Sequence, residues 1–123
     1  MPIAHDIITK NLITDTVCGL FNGGAVLMFK TDADVIVAQI ALDAIAFAAA
    51  ANGEAIANGF PKTTIVSIAG TVSKFEIRNS LDAPKIFGTV SLPGNNGDIE
   101  LSVLEYAISD PITLASLNYR VLS

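Results

Sequence analysis

The sequence predicts a mainly β fold with one short helix at the N-terminal end, and three observations carry that prediction. Apolar and polar residues alternate with period two from Gly70 onward, the alternation is punctuated by dense turn clusters such as "PGNNGD" at 93–98, and a single helical stripe precedes Asn22-Gly23-Gly24. With 123 residues and 12.8 kDa, the chain has room for one domain spanning 1–123.

The first element is a helix over 6–21, "DIITKNLITDTVCGLF". Asp6 is placed to cap it, and Ile13, Val17, Leu20 and Phe21 recur at helical spacing as one apolar stripe. Asn22-Gly23 then supplies a left-handed stop, and Ala25 to Lys30, apolar and too short for a second helix, reads as a strand.

The segment from Asp34 to Asn58 admits two readings. As a helix, Asp34 caps it, Gln39 and Asp43 share one polar line, and Asn52-Gly53 ends it. As strands, it divides into Val35 to Leu42, Ala46 to Ala51 and Glu54 to Asn58, with Asn52-Gly53 as a hairpin turn. Val35-Ile36-Val37 favours strand. The echo of "ANG" at 51–53 and 57–59 is too short for a structural repeat. Phe60 to Thr64, "FPKTT", reads as an exposed turn.

In "TVSKFEIR", Thr71, Ser73, Phe75 and Ile77 fall on one face and Val72, Lys74, Glu76 and Arg78 on the other, which predicts a half-buried strand. "LDAP" turns the chain into its partner "KIFGTVSL", with Gly88 as a candidate bulge, so a meander is expected. After "PGNNGD" the run "IELSVLEYAI" reads as another strand. Asp110-Pro111 breaks it, and "ITLASLNYRVL" is expected as a last strand with Thr113, Ala115, Leu117, Tyr119 and Val121 on one side.

Composition excludes several function classes. Hydrophobic residues make up 51% and charged residues only 15%, below the roughly one-quarter usual for soluble domains, although seventeen of the apolar residues are Ala. That excess hints at contact with partners. A net charge of −5, with Lys10, Lys30, Lys62, Lys74, Arg78, Lys85 and Arg120 dispersed along the chain, argues against nucleic acid. Val35 to Ala51 is interrupted by Gln39 and Asp43, so no membrane span is expected. Asp6 and Asp15 lie where a signal peptide needs a basic and then an apolar region, so none is expected. A single cysteine, Cys18, cannot form an internal disulfide.

Candidate chemistry is sparse. His5, the one histidine, lacks a nearby orienting partner and nucleophile, and Cys18 reads as a small buried hydrophobe. Asp32 with Asp34, and Asn95, Asn96 and Asp98, offer oxygen ligands without the regular spacing and closing Glu of a calcium loop. The "NGG" glycines lack the Lys and Ser/Thr of a phosphate loop. Phe60, Phe87, Tyr106 and Tyr119 are the aromatic side chains a sugar-binding face would use, and core packing is their default role. No catalytic, cofactor or metal site is assigned, and no enzymatic activity is expected.

The ordered series "LFNGGAVLMFK", "IAFAAAANGEAIANG", "GTVSKFEIRNS", "FGTVSLPGNNGDIEL" and "DPITLASLNY" resembles a family of small structural proteins encoded by tailed bacteriophages, over most of residues 12–119. Each motif is short and specificity lies in their order. Two departures stand out: "TDAD" is briefer than the family's loop after the first strand, and the Ala-rich strands are more apolar. The resemblance implies strand-turn-strand for the Ala-rich segment. Together these readings give an antiparallel β-sandwich or jelly-roll-like domain of about eight strands over 25–122. It further implies a virion protein made in the host cytoplasm, with a capsid cement or decoration protein ahead of a tail or neck subunit. Its partners would be the major capsid protein and copies of itself, as a homo-oligomer in the particle. The reading from a different class is a small carbohydrate-binding module.

Overall fold

The computed structural model describes residues 5–120 and is mainly β, with one helix, α1 (Ile7–Gly19). Asp6 caps the helix as its spacing predicts, its carboxylate accepting the Thr9 N–H at 2.8 Å. The face turned inward differs from the expected stripe. Thr14, Cys18 and then Phe21 are buried, Ile13 and Val17 are half-buried, and Leu20 points outward. The helix also ends earlier, at Gly19, and Gly23 (φ +93°) with Gly24 (φ +119°) turns the chain in the left-handed region.

Polar side chains dock this helix. Asn11 Oδ1 accepts the Gly53 N–H at 2.8 Å, the buried Thr14 hydroxyl donates to the Gly53 carbonyl at 2.7 Å, and Asp15 Oδ1 accepts the Ala50 N–H at 2.8 Å. Spaced three and four apart, these residues share one side of α1. They grip the backbone of a hairpin some forty residues away.

Eleven strands follow among the described residues: β1 (Val26–Lys30), β2 (Ile36–Ala41), β3 (Glu54–Ile56), β4 (Lys62–Ile65), β5 (Gly70–Thr71), β6 (Lys74–Arg78), β7 (Pro84–Ser91), β8 (Ile99–Glu100), β9 (Glu105–Tyr106), β10 (Pro111–Leu114) and β11 (Asn118–Arg120). The main sheet runs β2-β1-β6-β7-β8, and three two-stranded pairs, β10-β4, β11-β3 and β5-β9, complete a curled, antiparallel-rich, sandwich-like body. Side-chain and loop contacts tie β4 and its continuation to β2: the Thr64 hydroxyl donates to the Gln39 carbonyl at 2.6 Å, and Ser67 N–H donates to the Val37 carbonyl at 3.0 Å.

Register explains the core. Leu27 sits opposite Ile77 and Phe29 opposite Phe75, so all four point to one face, where they are buried. Phe21 and Phe47 close that core with ring centroids 6.3 Å apart. Gly88 lies opposite Phe75, and a Cβ there would overlap the ring. The glycine makes room for an aromatic neighbour and is not a bulge; the register shift falls instead between Ile77 and Arg78, opposite Lys85.

Several expected elements are corrected. The β2 strand removes the helical alternative for the Ala-rich segment, but Ala46 to Ala51 is not a strand: its β pairing is limited to the isolated bridges Phe47–Ala57 and Ala51–Glu54. Asn52 (φ +53°) and Gly53 (φ +77°) make the anticipated tight hairpin. The "FPKTT" stretch leads into β4 and so is more than a turn. Residues 71–78 divide into β5 and β6, because Val72 N–H bonds to the Leu104 carbonyl and Ser73 N–H to the Lys30 carbonyl. The meander ends at β7, since β8 pairs with it in parallel, and β9 leaves to pair with β5. The closing strand breaks into β10 and β11: Ile112, Leu114 and Leu117 face inward, whereas Thr113 and Ala115 are exposed. Tyr119 is half-buried, and Val121 lies outside the described residues.

Candidate functional site

The residues weighed for chemistry are dispersed and occupied with structural work. Cys18 is buried on α1, where burial, with Asp15 adding to it, pushes its thiol up to about 11. A nucleophilic cysteine needs the opposite shift. His5 immediately precedes the helix cap. The Asp32 carboxylate accepts the Ser73 hydroxyl, and Asp98 accepts the Thr89 N–H at 2.9 Å, holding the 92–98 loop against β7. Asn96 (φ +63°) and Gly94 (φ +86°) shape that loop. Among the described residues, no group of three or more His, Cys, Asp or Glu side chains converges to hold a metal ion. No helix there is long and apolar enough to cross a membrane.

The four aromatic residues do not share a face. Phe60 lies under the Lys62 ammonium, 5.7 Å from the ring centroid. Tyr119 pairs opposite Ala55 in β11, and Phe87 stands 70% exposed on β7. Tyr106 donates its hydroxyl to the Val103 carbonyl at 2.6 Å, and burial, with Asp110 adding to it, raises its phenol above the ordinary value.

An ion-pair chain crosses the outer face of the main sheet. Lys74 meets Asp34 at 2.6 Å, Asp34 lies 3.7 Å from Lys30, Lys30 meets Glu76 at 2.6 Å, Glu76 meets Arg78 at 2.6 Å, and Arg78 reaches Asp82 at 3.2 Å. Signs alternate throughout. Glu76 is only 5% exposed. Burial alone would raise its carboxyl, but hydrogen bonds from Lys30 and Arg78 outweigh that and hold it below the ordinary Glu value. The signal for this cluster was present in the alternation that puts Lys74, Glu76 and Arg78 on one face. Lys30, the partner of its buried carboxylate, comes from β1 and is not marked by that alternation.

An open cleft of about 640 Å³ lies between segment 97–103 and segment 113–118, and a smaller one of about 410 Å³ lies between β2 and β4. Leu101, Leu114 and Leu117, each about 5–6% exposed, are among the lining residues of the larger cleft. Asp98 and Glu100 contribute carboxylates, and of the four aromatic candidates only Tyr106 reaches it. The Glu100 carboxylate accepts the Gly94 N–H at 3.2 Å.

The apolar surface is more extensive. On α1, Ile7, Ile8 and Leu12 are 51%, 79% and 66% exposed, and Ile8 and Leu12, four apart, form one ridge. At the β4–β10 pair, Ile65 is 57% exposed directly across from Pro111. No family model, curated protein or solved structure matches the chain.

Proposed function

We propose that this chain is a structural protein of a tailed-phage virion, a cement or decoration subunit that holds a capsid shell by repeated contact and performs no reaction. The ordered motif series carries the phage assignment. The single structural observation that supports an adhesive role is the outward face of α1, where Ile8 and Leu12 stand in solvent while polar residues take the inner side. Scattered exposed aliphatics are ordinary, but a ridge of them on a helix calls for a covering surface.

Covering the remaining surface of Ile8 and Leu12 contributes about 3 kcal/mol. That is too little for a stable pairwise complex, yet it is adequate when many copies engage one shell together. The major capsid protein and neighbouring copies of the chain are the surfaces such a subunit would meet. Electron microscopy of the purified parent particle tests the reading. Density for this chain at regular positions on mature heads is expected. Density confined to the tail or neck would assign it there instead, and its absence from the particle would overturn the proposal.

A further inference from the structure

We infer that the cleft between 97–103 and 113–118 is a docking groove for an extended polypeptide segment carrying Lys or Arg side chains. This assignment does not rest on the capsid reading. Charge selects the occupant: Asp98 and Glu100 line the groove, no Lys, Arg or His does, and the chain as a whole carries −5. Attraction therefore favours a basic segment over an acidic or neutral one.

Backbone chemistry selects its form. Strand β8 stops at Glu100, β10 stops at Leu114 and β11 begins at Asn118, so both walls of the groove leave the ladders where they face it. Among the described residues, the peptide groups of Ser102, Ala115 and Ser116 enter no hydrogen bond within the chain, while Leu101 N–H is taken by the Ser91 carbonyl and the Leu117 carbonyl by Ala57 N–H. An extended segment brings its own row of N–H and C=O groups to such walls. Side chains alternate along it, so apolar residues can meet the exposed lining residues Val103, Pro111 and Ala115 while the intervening basic ones reach Glu100 and Asp98. The volume of about 640 Å³ falls in the range of ligand sites and suits a few residues.

Titration of the ¹⁵N-labelled full chain with acetyl-Ala-Lys-Val-Lys-Ala-Lys-amide, followed by NMR, tests the assignment. Shifts are expected at the amides of 99–103 and 113–118, and they should weaken as salt is raised. Glu100→Gln, which keeps an acceptor for Gly94 N–H, should weaken binding about fivefold, the scale of one surface ion pair. Ser116→Trp, at an exposed position, should fill the groove and abolish the shifts while far-UV circular dichroism stays unchanged. The inference is overturned if those amides do not respond, if the matching Glu-containing peptide binds as well, or if maltotriose shifts them and the basic peptide does not.

Discussion

Replacing Glu76 with Gln isolates the charge chain on the outer face of the sheet. The carboxylate bridges Lys30 and Arg78, each at 2.6 Å, and its side chain is 7% exposed. Removing one member of a fully buried pair costs about 3–5 kcal/mol, whereas an exposed pair contributes about 0.2–1 kcal/mol. The site lies between these limits. Lys30 and Arg78 are 12% and 22% exposed, and each retains a second carboxylate, Asp34 at 3.7 Å and Asp82 at 3.2 Å. A loss of about 2 kcal/mol at neutral pH is expected, which lowers the urea midpoint by roughly 1–2 M for a domain of this size.

The pH dependence has a definite sign. Because the folded Glu76 carboxyl is held below the ordinary value of 4.5, the unfolded chain binds more protons in the interval between the two, and stability rises with pH there. The contribution is fully present above the ordinary Glu range and is lost as pH falls through the lower folded value. The gap between the natural chain and Glu76→Gln, measured by urea unfolding with far-UV circular dichroism, should thus narrow from pH 7 to about pH 3. A loss below about 0.5 kcal/mol at neutral pH, or an equal loss at both pH values, would refute the reasoning.

Gly88→Ala drives a methyl group into the Phe75 ring and should destabilise by about 1–3 kcal/mol, with Phe75→Leu in the same chain recovering part of the loss in a double-mutant cycle. Cys18 should resist iodoacetamide at pH 7–8 in the native protein and react fully in denaturant, as mass spectrometry would show, because it is both buried and poorly ionised. Thr14→Val leaves the Gly53 carbonyl without its buried donor and should cost about 2 kcal/mol in chemical denaturation, while Thr16→Val, at an exposed position whose hydroxyl only bonds back to Leu12, should cost far less.

Local features were legible in the sequence, and features set by distant partners were not. The Asp6 cap and the Asn52-Gly53 hairpin are governed by a few adjacent residues and appear where the sequence places them, while the left-handed turn expected at Asn22-Gly23 falls one residue later, at Gly23-Gly24. Strand boundaries late in the chain are different. The alternation in "IELSVLEYAI" is genuine, but Ile99 and Glu100 pair with β7 while Glu105 and Tyr106 pair with β5, and no residue in the run announces the change of partner. The last strand fails in the same way: Leu114 ends its pairing opposite Lys62 and Asn118 begins anew opposite Ile56, so the inward phase shifts between them. The groove lies where these ladders change partners, a change that no local residue pattern encodes.

On α1 the apolar stripe does not coincide with the inner face. Periodicity assumes that the inner face of a helix meets hydrocarbon. Here much of the inner side meets the backbone of residues 50–53, whose N–H and carbonyl groups require hydrogen-bond partners, so Asn11, Thr14 and Asp15 are turned inward. Ile8 and Leu12 are left on the outer side, where they add nothing to the packing of the chain's own core. Exchanging both for Lys and Glu should leave folding nearly unchanged, and for a shell-bound subunit it should release the protein from the particle. Retained stoichiometry on the particle after that double exchange would remove α1 from the contact surface.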